Sequence, residues 1–121
     1  MLRYLLMAAV LGACGGSVDT SIEDQITIDQ GVYGLLISGC DTAGCEDQPA
    51  SGEPVLVYSA GTKTGPFAQV VSDHKGVYQI NLVEGDYTLC TASCTQITVP
   101  ANDKIRIDWV SGPGGGHWLI D

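Results

Sequence analysis

Basic residues are scarce in this chain: five Lys and Arg stand against fourteen Asp and Glu, for a formal net charge of −9. A surface of that sign repels phosphate backbones and no basic stripe offsets it, so nucleic acid is excluded as a partner. Large aromatics are few as well, with one Phe and two Trp in 121 residues. No run approaches the ~20 apolar residues that a membrane-crossing helix needs. Beyond the first fourteen residues, helical periodicity is absent. The two histidines, His74 and His117, are the entire imidazole supply. No serine sits in a G-x-S-x-G elbow, which leaves little from which to assemble nucleophilic catalysis. The reading is of a chain that is not an enzyme and that implies no cofactor.

Glycine is plentiful, at sixteen residues, and it punctuates short alternating runs. In "VYQINL" (77–82), Tyr78, Ile80 and Leu82 share one face while Gln79 and Asn81 share the other. "DYTLC" places Tyr87 and Leu89 inward, "TQITVP" Ile97 and Val99, and "IRIDW" Ile105, Ile107 and Trp109. A period of two with one apolar face describes a sheet half-buried against another layer. Turn sequences separate the runs, at 73–76, 84–86 and 101–104. Earlier strands are expected at 32–38, 54–59 and 67–72, where both parities are apolar and the faces stay ambiguous. The expectation is an all-β, Ig-like antiparallel sandwich of about seven strands.

The same residues resemble a known pattern. "VYGLL", "PASGEPVLVY" and "SDHKGVYQINLVEGDYTL" are similar to the carboxypeptidase regulatory-like, or prealbumin-like, β-sandwich domain. Val32, Gly34 and Leu36 fit its opening strand, and Pro49, Gly52, Val55 and Val57 its second. Asp73, Gly76, Tyr78, Leu82, Gly85 and Tyr87 fit its hairpin. Gly76 and Gly85 suit turn positions with positive φ, and Tyr78 and Tyr87 are large anchors at strand starts. Prealbumin-like domains include a purine-pathway hydrolase, whose histidine and arginine constellation and C-terminal tetrapeptide have no counterpart here. In multi-domain proteins the resembling module is an accessory to folding or attachment, which implies a protein partner that provides any activity.

The N-terminus "MLRYLLMAAVLGAC" has a positive start, a short apolar run and small residues before Cys14. Leu11-Gly12-Ala13-Cys14 resembles the lipobox of bacterial lipoproteins. That resemblance implies cleavage after residue 13, acylation of Cys14 and attachment to membrane lipid. Two or more acyl chains hold a protein firmly where one holds it marginally. Gly15 after the cysteine resembles lipoproteins sent on to an outer membrane, where the organism has one. An ordinary cleaved signal would instead leave Cys14 as a stray thiol. The division is then signal peptide at 1–13, lipidated Cys14 with an acidic tether to residue 30, and a sandwich at 31–121. Cleavage removes Arg3, leaving four basic against fourteen acidic residues and a formal charge of −10. The expected place is the bacterial cell envelope, with an envelope protein as partner.

Cys40, Cys45, Cys90 and Cys94 form an even set, for which an oxidising compartment favours disulfides. Cys90 and Cys94 both point outward by parity, so a three-residue loop between them lets them face each other across a hairpin. Cys40–Cys45 then closes its own loop. Closing a loop of about five residues contributes roughly 2 kcal/mol, against about 4 for one of about fifty, so energy alone favours crossed pairing. Reach favours local pairing. A four-thiolate zinc site is the rival for the same residues.

Two further segments are candidate ligand sites. Asp41, Glu46, Asp47 and Glu53 crowd one loop, either as a solvated acidic surface or as oxygen ligands for Ca²⁺, which takes six to eight. In the tail, His117 and Trp118 follow three glycines. Either "HWLI" folds back as a last strand over an open sheet edge, or Trp118 is an exposed aromatic for a glycan or a partner. Peptide mapping of the unreduced protein is expected to find Cys40 joined to Cys45 and Cys90 to Cys94; a Cys40–Cys90 or Cys40–Cys94 fragment would overturn local pairing.

Overall fold

The alternating runs become strands in the computed structural model, which describes residues 18–40, 44–60, 65–112 and 115–120. Nine strands are seen among the described residues: β1 Gly31–Ser38, β2 Gln48–Pro49, β3 Pro54–Ser59, β4 Ala68–Val71, β5 Val77–Asn81, β6 Gly85–Cys90, β7 Cys94–Val99, β8 Lys104–Gly112 and β9 Gly115–Ile120. One sheet runs β9-β8-β1, with β5 on the other side of the first half of β1 and β2 beside its end. The second sheet runs β4-β3-β6-β7. The expected sandwich is therefore present. It exceeds seven strands through the two-residue β2 and the tail strand β9.

One pairing departs from an all-antiparallel arrangement. β1 and β8 run parallel, with Val32 opposite Ile105 and Leu36 opposite Trp109. Alternation along a strand fixes its faces and says nothing about the direction of its neighbour, so the sequence held no sign of this.

The interior is built from the parities the sequence displays. Val32, Leu36, Val55, Val57, Tyr78, Ile80, Leu82, Tyr87, Leu89, Ile97, Val99, Ile107 and Trp109 form one buried cluster between the sheets. The Tyr78 hydroxyl, inside that cluster, donates to the Ile107 carbonyl at 2.6 Å. Burial, and secondarily the Asp108 charge, hold this phenol well above its ordinary pKa. At the β6 corner the Tyr87 hydroxyl donates to the Val83 carbonyl at 2.8 Å. Gly76 and Gly85 both have positive φ, at 82° and 151°. At Gly76 any Cβ would also press on the Leu36 carbonyl, so only glycine fits.

The ambiguity of "VYGLLIS" has a physical cause: β1 is buried on both faces. Tyr33, Leu35 and Ile37 point away from the main core into a second cluster with Ile22 and Val77. Val18, Ile26 and Ile28 pack around it. The segment before residue 31, expected as an acidic tether, is thus a third layer over the first sheet wherever it is described. Gln79, on the outward face of β5, pins it by accepting from the Thr27 and Ile28 amides at 2.8 and 3.1 Å. Gln30 continues the attachment, donating from its amide to the Leu82 carbonyl and accepting from the Asn102 amide.

Ile22 is 1 % exposed. Replacing a buried Ile by Ala removes its transfer free energy and leaves a cavity, so Ile22→Ala is expected to lower stability by about 2–4 kcal/mol in urea unfolding. A residue of a solvated tether would show no change.

Candidate functional site

Chemistry-bearing residues collect at one end of the sandwich, where β1 and β8 run out and both disulfide loops lie. Cys40 is bonded to Cys45, and Cys90 to Cys94, as local pairing requires. Cys90 stands directly opposite Cys94 in the β6–β7 hairpin. It lies on the outward parity yet is buried, beside half-buried Leu56 of β3. Asp47 closes the other loop, its Oδ1 accepting from the Cys40 amide at 2.9 Å.

Three clefts open at this end. The first, of about 370 Å³, lies between the Cys40–Cys45 loop and the tail hairpin, and includes Asp47, Ser111 and His117 in its lining. The second, of about 340 Å³, opens between the sheets and is lined by Leu36, Ser38, Glu53, Thr91, Trp109 and Ser111, among others. The third, of about 220 Å³, has Asp19, Gln25, Pro49, His74 and Lys75.

The clefts separate residues that the sequence left free to meet. His117 and His74 line different cavities, so no imidazole pair forms. Asp47 and Glu53 also part company, and Glu46 is exposed. Asp41 and Cys14 lie outside the described residues. Among the described residues, no three His, Cys, Asp or Glu side chains are grouped to hold a metal ion. The Ser72 hydroxyl is spent structurally, donating to the Ala50 carbonyl at 2.6 Å and accepting from the Glu53 amide at 3.0 Å.

The tail takes the fold-back arrangement. β9 pairs antiparallel with β8 and sets Trp118 directly opposite Trp109. Their ring centroids are 5.0 Å apart and tilted at 60°, a favourable aromatic geometry. The Trp118 indole N–H donates to the Ser93 carbonyl at 3.1 Å. Trp118 is therefore half-buried and occupied, not an open stacking platform, while His117 remains exposed on the other parity.

A charged cluster on the outer face escaped the sequence reading. The Arg106 guanidinium bridges Glu23 and Asp108, at 2.6 and 3.1 Å. Asp108 Oδ1 also accepts from the Leu35 amide at 2.9 Å, filling a gap in the β1–β8 ladder. Arg106 and Asp108 sit two apart on the polar parity of "IRIDW", and that opposite-charge spacing on one face was the available signal. Arg106 holds the Glu23 carboxyl below the usual carboxylate range. Burial, then the Glu23 charge, push the neighbouring Tyr33 hydroxyl up.

No protein-family model matches this sequence, and no curated protein matches it. Among solved structures, the fold is similar to that of 5-hydroxyisourate hydrolase from Klebsiella pneumoniae. The TM-score is 0.53 at 18 % identity, over 74 % of this chain and 96 % of that one. At such identity the likeness shows the fold alone, a prealbumin-like β-sandwich.

A carboxylate with a depressed folded pKa stabilises above its unfolded pKa, and that contribution is lost as pH falls through the folded value. Glu23→Gln is accordingly expected to be less stable than the parent at neutral pH. The difference should close as pH falls through and below the ordinary carboxylate range and Glu23 protonates, which urea midpoints measured down into acid would show. A difference unchanged into strong acid would separate Glu23 from the Arg106 pair.

Proposed function

We propose that this chain is a lipid-anchored lipoprotein of the bacterial cell envelope, whose sandwich has a non-catalytic binding or structural role through protein partners. The cysteine balance carries the reading. Four of the five cysteines are joined in two local disulfides, which leaves Cys14, at the end of Leu11-Gly12-Ala13, for the lipid. Gly15 favours an outer-membrane destination in an organism that has one. The acidic charge suits an exported, soluble domain.

The attachment geometry adds a consequence. Val18 already packs within the third layer, and Asp19 shares a cleft with His74 and Lys75 at the disulfide end. Four residues of extended chain span at most about 14 Å. A lipid on Cys14 would therefore hold the stapled end close to the bilayer, and a partner would meet the domain beside the membrane. The alternative of a glycan or Ca²⁺ site in the tail aromatics or the acidic loop loses support, because Trp118 is engaged and the described carboxylates are dispersed.

Intact-mass analysis of the native product is expected to show an acylated N-terminal cysteine, and Cys14→Ser to move the protein from the membrane to the soluble fraction. An unmodified N-terminus, or a variant that still partitions with membranes, would overturn the anchor. Turnover of 5-hydroxyisourate by the purified chain would overturn the non-catalytic role.

A further inference from the structure

The inner face of the first sheet changes character before its strands end. Along β1 the inward residues run Val32, Gly34, Leu36 and then Ser38; along β8 they run Ile105, Ile107, Trp109 and then Ser111. Ser38 and Ser111 are direct neighbours in the parallel pair. The strands thus run one residue pair past the core, and two small hydroxyls, Ser38 exposed and Ser111 half-buried, stand at its rim. The space left is the cavity of about 340 Å³ closed on the other side by Glu53, Thr91 and Ala92.

We propose that this cavity binds an organic cation: an alkylammonium or guanidinium head on a short apolar stem. Its polar lining is rich in acceptors. The Ser111 hydroxyl donates to the Ile37 carbonyl at 3.3 Å and the Thr91 hydroxyl to the Pro54 carbonyl at 2.9 Å. Each therefore has lone pairs to offer and its hydrogen already placed. Glu53 uses its amide on Ser72. Among the described residues both ion pairs belong to Arg106, so no described cation neutralises the Glu53 carboxylate. An anion finds repulsion there, and a neutral polyol needs donors that the lining has largely spent. Leu36 and Trp109, both buried in the core, form the apolar floor of the cavity, against which a short hydrocarbon stem would lie while its charged head stays at the rim. The volume is near the lower end of the ~300–1,000 Å³ typical of ligand sites, which suits one side chain or a small amine. The net negative charge raises the local concentration of any such group.

The cavity binds whether or not Cys14 is acylated, so the two readings fail separately. The test is titration of the ¹⁵N-labelled whole chain with n-butylammonium, n-butanol and the peptide acetyl-Gly-Lys-Gly-amide, following the amide shifts of Ser38, Thr91 and Ser111. Saturable shifts are expected with both cations and none with n-butanol. Glu53→Gln should weaken binding on the order of fivefold, the upper range for one exposed ion pair. Ser38→Leu, which fills the mouth, should abolish it while the remaining spectrum is preserved. Tighter binding of the peptide than of n-butylammonium would identify a partner's lysine as the source, and equal or weaker binding a free amine. Shifts absent with both cations, equal with n-butanol, or persisting in both variants would overturn the proposal.

Discussion

A strand with apolar side chains on both faces leaves one of them in water unless a third layer covers it, and β1 is such a strand. Its inner face supplies Val32 and Leu36 to the core between the sheets, and its outer face presents Tyr33, Leu35 and Ile37. A two-layer sandwich satisfies only the first set. The segment around Ile22 satisfies the second, so the residues before the first strand are a condition of the fold and not an appendage to it. Full burial of an aliphatic side chain contributes about 1.5–3 kcal/mol. Against the small net stability of a domain this size, that is enough to decide whether the layer stays down.

The pairing of β1 with β8 depends on a glycine and on one polar repair. Gly34 faces β8 across the pair, and a Cβ there would collide with the Ile107 carbonyl. The regular ladder is interrupted beside it, and the Leu35 amide would be left without a partner. An unpaired buried amide costs about 1–3 kcal/mol. The Asp108 carboxylate takes that role, and Arg106 balances its charge and reaches on to Glu23 in the covering segment. Backbone repair and attachment of the third layer are thus performed by one chain of polar contacts.

Legibility in the sequence tracked the number of layers on each strand. Where one face meets the core and the other meets water, as in β7 with Ile97 and Val99 inside and Gln96 and Thr98 outside, alternation gave the inward residues correctly. Turn chemistry was equally readable: Asp73 Oδ1 accepts from the Lys75 and Val77 amides, and Gly76 supplies the positive φ. β1 resisted because two-sided burial erases the period. Alternation placed Gln79 on the face opposite the core and no more, because its role as a clamp depends on a segment about fifty residues away, which no local pattern encodes. The cavity at the mouth was hidden for a similar reason. Ser38 and Ser111 look like ordinary strand ends until the parallel pairing sets them side by side.

The tail shows how a weak local signal acquires structure through context. Gly115-Gly116-His117-Trp118 has little strand propensity of its own, since glycine loses more freedom on ordering than any other residue. Trp118 changes the balance. Its ring lies against Trp109, which the core already fixes, and its N–H reaches the Ser93 carbonyl in the hairpin joined by Cys90 and Cys94. Trp109 belongs to the first sheet and Ser93 to a loop of the second, so one side chain fastens the edge strand to both. Gly116 fits beneath because a Cβ there would strike the Trp109 ring. The disulfide hairpin, the indole pair and the small residue between them therefore form a single closure. It shuts the side of the sandwich beside the edge strand.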